Sequence, residues 1–327
     1  MQYQFLVIFV INPKLAAKYR QAIKSSGAKD DGNDSGFILD ILIRHREKLT
    51  PWKPEDRMTR TLQILTQKRR NAIRERTRLS NQLKAILKQY FPLAIEVAGD
   101  TLATVIACKF LQRWSNLESL KRSRTSTIHR FYNKHGCRQK RIIDNRLKAI
   151  QSAEPLTTDA TIVETSVMEV YMLTEQLLCV IKHIEKYDEA INNIFPSHPD
   201  AEIFSSLPGA GAVLAPRLLV AFGSDRDRFR TPVEIQNYSG IAPVTVQSGK
   251  KRLVRWRWAC SKFIRQSFHE FAAESRKYSI WASAFYEKQR DSGNSHNAAV
   301  RALAYKWIRI LFRCWKDRTI YDELVYI

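Results

Sequence analysis

Two helical stripes, set far apart in the chain, constrain its fold more than any other feature. Met58, Leu62, Leu65, Ala72, Leu79, Leu83, Ile86 and Tyr90 recur at alternating four- and three-residue steps, with Arg69 and Arg76 at the remaining seam positions. Such a repeat specifies a long helix with one narrow apolar seam, and arginines on the seam fix register at some cost in stability. Val163, Val167, Val170, Leu177, Ile181, Ile184 and Ile191 form a second stripe, long enough to pack back on the first as an antiparallel coiled coil. Between Lys53 and Phe91 there are eleven basic and three acidic residues. A solvated helix ordinarily carries both signs. This face therefore reads either as a nucleic-acid contact, with Arg70, Arg74 and Arg78 as candidates, or as a merely basic dimerisation helix.

The overall charge points the same way. Lys and Arg number 54 against 32 Asp and Glu, a formal +22 with a pI near 9.9, which favours nucleic acid or an anionic membrane surface as partner. No apolar run approaches the ~20 residues that a bilayer span requires, so no membrane partner is expected. Nor does the apolar run from Phe5 to Ile11 have the basic flank or small-residue cleavage site of a secretory leader. These features predict a cytoplasmic, nucleoid-associated protein. Five cysteines are scattered without a C-x-x-C pair, which argues against zinc and against a disulfide framework.

Chemistry concentrates between Leu207 and Arg265. Leu207-Pro208-Gly209-Ala210-Gly211 is a tight turn feeding an apolar helix, and N–H groups left free near Gly211 suit an anion such as phosphate. A second helix follows, with Thr231 as N-cap, Pro232 at its first position, Glu234 completing a capping box and Gly240 as C-terminal stop. A loop then carries Ser248-Gly249. After it come Lys250, Lys251, Arg252, Arg255, Arg257, Lys262 and Arg265 with no acid among them, and Trp256 and Trp258 lie between the cations. The predicted arrangement is a hairpin, a basic loop and a cationic helix facing a polyanion.

At the N-terminus, Phe5 to Ile11 reads as an interior strand of a mixed or parallel sheet. Asp30, Asp31 and Asp34 precede the helical FILDILIRHREK. Carboxylates at 31 and 34 share one side of a first turn, where they either cap the helix or hold a hard divalent cation. Residues 100–149 pair short apolar stretches with a basic segment containing Phe131 and Tyr132, a mixture that suits phosphate contact and base stacking. Phe195-Pro196-Ser197-His198-Pro199 is a linker, and the aromatic stripes beyond Lys262 are core.

LPGAG at 207–211, YSGIAP at 238–243, the Ser248-Gly249 pair and the basic run after it, in this order, resemble the C-terminal transposase domain of the insertion sequence 110 family. The segment from Gly27 to Asp34 resembles the family stretch carrying the last two acids of a DEDD set. The resemblance implies an α+β, predominantly helical fold. A partial RNase H-like (RuvC-like) domain at 1–50 is followed by a basic coiled-coil region at 51–199, and a C-terminal domain at 200–327 carries a helix-hairpin-helix-like motif. It further implies that Ser248 attacks DNA to form a phosphoserine intermediate. Gly209, Gly211, Lys250, Lys251, Arg252, Arg255 and Arg257 would bind nucleic acid, and Asp31 and Asp34 would bind Mg²⁺. The partners implied are DNA, a structured guide RNA, and further copies in a homodimer or homotetramer. The family's first Asp and its Glu have no counterpart here, so Mg²⁺ is expected to be weakly bound or absent in a chain shortened at its N-terminus. The alternative is a remnant that binds DNA or RNA and dimerises without cutting.

Overall fold

Residues 6–23, 31–49, 51–249 and 251–326 are described by the structure, a computed structural model, and fall into two units, Met1–Asp56 and Arg57–Ile327. The first unit holds β1 (Ile8–Phe9), α1 (Pro13–Ile23), α2 (Asp31–Arg44) and β2 (Pro51–Trp52). β1 runs antiparallel to β2, with Ile8 opposite Trp52. This corrects the interior strand expected over Phe5–Ile11: Leu6, Val7, Ile8 and Val10 are all exposed, and Phe5 lies outside the described residues. An apolar run of this kind is buried only when strands flank it and helices cover it, and among the described residues it has one short partner. Leu39 and Ile43 of α2 are exposed as well. We expect the protein to self-associate at tens of micromolar and Val7→Lys/Val10→Lys to suppress this, since charge on an open edge blocks pairing. Sedimentation velocity is the check, and a monodisperse unaltered protein would contradict the expectation.

Polar contacts fasten α1 to α2. The Tyr19 hydroxyl donates to Asp40 Oδ2 at 2.5 Å, and Arg20 forms an ion pair with Asp34. Asp40 also accepts from Arg44 Nε at 2.5 Å. The Tyr19 bond, then the Arg44 bond, hold the Asp40 carboxyl below the usual carboxylate range.

The second unit is built on α3 (Arg57–Tyr90), which meets α9 (Ala160–Ile194) along its length. Leu62 shares a core with Ile191, whereas Leu79 and Leu83 share another with Val170 and Leu177, so the two helices run antiparallel. Leu62, Leu79, Leu83, Ile86 and Tyr90 are buried as the repeat requires, and Arg69 reaches Asp188 across the seam. The seam thus closes within one chain. Between the long helices lie α4 (Ala94–Val97), α5 (Val105–Arg113), α6 (Leu117–Lys121), α7 (Thr125–Lys134) and α8 (Lys140–Ser152). They pack around Phe110, Trp114, Phe131 and Tyr132. Phe131 and Tyr132 are therefore core residues and not a stacking surface. The Tyr132 hydroxyl donates to the Val97 carbonyl at 2.5 Å, and its ring lies under Arg146. Both rings on this amphipathic turn are used to close the small domain. Burial pushes the neighbouring Cys108 thiol up to about 12.

The remaining helices are α10 (Ala201–Ser205), α11 (Gly211–Phe222), α12 (Pro232–Ser239), α13 (Lys262–Ser275), α14 (Ile280–Asp291) and α15 (His296–Asp317), with a hairpin of β3 (Val244–Ser248) and β4 (Lys251–Arg255) after α12. Phe222, Phe268, Phe271, Trp307 and Trp315 form their core, which also takes Leu62 of α3 and Ile191 of α9. The linker at 195–199 is ordered. His198 is buried, its Nδ1 accepting from the Asp200 amide at 3.0 Å and its Nε2 meeting Thr59 Oγ1 at 2.9 Å.

Candidate nucleic-acid interface

α12 begins and ends where its sequence says it should. Pro232 occupies the first turn, and Gly240 takes the left-handed C-cap at φ +74°. One detail differs: Glu234 reaches back to the Arg230 amide at 2.8 Å, and the Thr231 side chain makes no cap bond. Past Gly240 the chain enters the β3–β4 hairpin, with Ser248 opposite Lys251 and Val244 opposite Arg255. Gly249, at the turn directly after Ser248, takes φ +55°. Such turns need positive φ to match the strand twist. Ser248, Lys251 and Arg255 are exposed at this hairpin. Lys250 lies outside the described residues, and Arg252 is placed by its backbone opposite Gln247.

The cationic helix expected directly after the loop is displaced. Residues 251–255 are strand, 256–261 are irregular, and α13 begins at Lys262. β-Branched Val244, Val246 and Val254 favour the pleated form, and a turn that cannot be helical separates them. Neither tryptophan is core. The guanidinium groups of Arg265 and Arg301 stand 4.7 and 3.7 Å from the centre of the Trp256 ring, and Trp258 is 81% exposed. Arg257 is not free for phosphate either. Its Nε donates to the Ala242 carbonyl at 3.2 Å and its Nη2 to Asn237 Oδ1 at 2.8 Å, which ties the hairpin root to α12.

The turn at 207–211 uses its two glycines differently. At Gly209, φ is +78° and an added Cβ would stand 2.9 Å from the Tyr278 ring, so packing accounts for that glycine. Gly211 has φ +53° and open space around it. The cleft at this end of α11, about 510 Å³, is also lined by Arg217, Glu270 and Glu274. Its carboxylates are already paired, Glu274 with Lys277 at 2.8 Å and Glu270 with Arg217 at 2.6 Å.

On α3 the three candidate arginines separate. Arg70 is 3.5 Å from Glu270 and its Nε is buried without a partner, so it belongs to the C-terminal core. Arg78 is exposed but folds onto Glu75 and Gln82 of its own helix, and Arg74 is exposed. Reversing Arg74 and Arg78 to Glu is expected to weaken DNA binding, with the log–log salt slope falling by roughly one for each phosphate that is no longer neutralised. A slope unchanged in filter-binding titrations would mean that both face only solvent.

Asp31 opens α2, one turn before Asp34. Asp34 is held by Arg20, and among the described residues no group of three His, Cys, Asp or Glu stands close enough to hold a metal ion. Hard divalent cations draw several oxygen ligands at once. The described carboxylates of this unit do not fit such a site. Sequence spacing does not pair Asp34 with a guanidinium, although Arg20 stands on the helix that precedes it. The buried Arg217 was missed too. Its signal was a lone cation inside the apolar run LAPRLL.

Comparison with known proteins decides what this assembly belongs to. A family profile described as "Transposase" matches residues 2–92, and one described as "Transposase IS116/IS110/IS902 family" matches residues 201–287, together more than half of the chain. The chain belongs to the IS110 family of transposases. It is 26% identical to the "Mini-circle putative transposase for IS117" of Streptomyces coelicolor, over 97% of this chain and 77% of that protein. It is 24% identical to the IS110 uncharacterized 43.6 kDa protein of the same organism, over 95% and 76%. To the IS900 uncharacterized 42 kDa protein of Mycobacterium paratuberculosis it is 26% identical, over 90% and 73%. By this membership the IS110-family chain is a DNA transposase. Among its described residues no helix is long and apolar enough to cross a membrane.

Proposed function

We propose that this transposase breaks and rejoins DNA through Ser248. The observation that carries the reading is positional: Ser248 ends β3 at the tip of a hairpin exposed over most of its length, opposite Lys251, in a stretch with seven cations and no acid between 248 and 265. In the reaction the Ser248 Oγ–P bond forms as the bond from phosphorus to one deoxyribose oxygen breaks. The hydroxyl proton is released, and the departing oxygen takes up a proton. Lys251, opposite Ser248, with Lys250 and Arg252 as its neighbours in sequence, would hold the phosphate and offset charge developing on its oxygens, and Arg255 at the hairpin root would meet a phosphate further along the strand. Gly211 at the start of α11 and the exposed Arg74 of α3 extend the contact to neighbouring phosphates.

The family resemblance supports four further parts of the proposal: an RNase H-like role for residues 1–50, where Asp31 and Asp34 would hold Mg²⁺ only with ligands beyond the described carboxylates, a helix-hairpin-helix-like role for α10 and α11, a structured guide RNA and a dimeric or tetrameric assembly. A nucleoid-associated location follows from DNA as partner. Because the α3 seam is closed by α9, contact between copies would use other surfaces. A second reading is a chain that binds DNA or RNA without cutting, and the Arg20–Asp34 pair, on a residue matching the family's metal ligands, favours it. Incubation with end-labelled element-end DNA, with and without Mg²⁺, followed by denaturing electrophoresis, separates the two. A labelled covalent adduct supports cleavage, whereas retention of DNA without adduct under either condition supports the binding-only reading.

A further inference from the structure

We infer that Trp258 is a stacking platform for an unpaired DNA base a few nucleotides from the scissile phosphate, an assignment that rests on the Ser248 reading. A tryptophan left 81% exposed is ordinarily a mobile surface residue, but here the backbone that presents it is anchored on both sides. Arg257 is bonded to Ala242 and Asn237 through its side chain, and its carbonyl accepts from Arg265 Nη1 at 3.2 Å and from Cys260 Sγ at 3.6 Å. The Cys260 amide donates to the Trp258 carbonyl at 3.1 Å. Cys260 fits only because residue 240 is glycine, where an added Cβ would stand 2.4 Å from its Sγ. On the other side, the Trp256 ring packs against the guanidinium groups of Arg265 and Arg301. The backbone that carries the ring is therefore held in place, and binding a base needs only the ring itself to be ordered, which keeps the entropic cost of the contact low.

The chemistry of the surroundings selects the occupant. An indole face in a stretch of chain that carries seven cations and no acid between 248 and 265 accepts a nucleobase whose phosphates the cations neutralise, and stacking of this kind is sequence-tolerant. A base can reach it only when unpaired. The spacing is set by the hairpin: Trp258 follows its root, and the five residues of β3 put Val244 at the root four steps from Ser248 at the tip, roughly 13 Å at ~3.3 Å per residue. At ~3.4 Å per nucleotide, the stacked base lies about four nucleotides from the phosphate at Ser248.

The test compares the affinity of the full chain for a continuous DNA duplex with that for the same duplex carrying a short single-stranded gap, by fluorescence anisotropy. The unaltered protein should prefer the gapped DNA. Trp258→Ala should lose that preference by about fivefold to a hundredfold, the range given by stacking on one base, while its duplex affinity stays within about twofold, and Trp258→Phe should restore most of it. Because the side chain is exposed, the variant tests stacking and not folding. Equal loss on both DNAs, or no loss on either, would overturn the assignment, as would a preference of the same size and the same Trp258 dependence for an RNA hairpin loop over gapped DNA. If the unaltered chain bound no DNA at all, the Ser248 reading would fail first and this inference with it.

Discussion

Ser248→Ala is expected to abolish covalent protein–DNA adducts, a loss of at least about a thousandfold in their rate of formation, while DNA binding changes little. The magnitude follows from the role: with the attacking oxygen gone, only positioning and charge stabilisation remain, and removing a nucleophile elsewhere costs several powers of ten. The near-constant affinity follows from the interface. One hydroxyl contributes little where several cations neutralise phosphates, and the substitution falls at an exposed strand end opposite Lys251. Adducts of undiminished yield from the alanine variant would remove Ser248 from the mechanism. An affinity loss matching the adduct loss would show instead that the hairpin tip had been disrupted.

The largest expected effect on stability lies at Glu270. Its Oε2 takes Arg217 Nη1 at 2.6 Å, and its Oε1 takes Gln266 at 2.7 Å and Arg70 at 3.5 Å. Arg217 is 5% exposed, and burial lowers its guanidinium from the ordinary value against the raising pull of Glu270. Glu270→Ala would leave two arginines facing each other with no carboxylate between them. Stranding a buried charge costs about 3–5 kcal/mol, and because a third of the Glu270 side chain is exposed, the lower end, about 3 kcal/mol, is expected. Urea unfolding followed by circular dichroism measures it. Restoring stability by adding Arg217→Met, which removes the stranded charge, would tie the loss to the pair, and a single variant as stable as the parent would contradict the account.

Periodicity and punctuation made much of the second unit legible. The stripe through Leu62, Leu79, Leu83 and Tyr90 and its counterpart through Val170, Leu177 and Ile191 set two long antiparallel helices, and Pro232 and Gly240 bounded α12. What periodicity could not supply was the partner of each residue. Phe131 and Tyr132, interleaved with cations, have the same local pattern whether they stack on bases or on Phe110 and Trp114, and only the tertiary packing of α5 against α7 decides. Arg70 and Arg74 are likewise indistinguishable in a basic run, yet one is claimed by a glutamate two hundred residues later. In Val244–Arg255 the mixture of valines and cations suited strand or helix, and the turn at Gly249 settled it. At Phe5–Ile11 apolar character signalled a buried strand without guaranteeing the neighbours that would bury it.

The antiparallel run of α3 against α9 has a practical corollary for engineering. The helices leave the C-terminal core side by side near Leu62 and Ile191, and about 40 Å of helix, at ~1.5 Å per residue, carries the path out to the five short helices and back. Since Arg69 faces Asp188, residues near 76 and 181 are neighbours, and a helix-to-helix loop of about 2–5 residues can join them. The outer segment is therefore a removable cassette: a shortened gene lacking it would still encode every residue of the Ser248 hairpin and of the core that supports it.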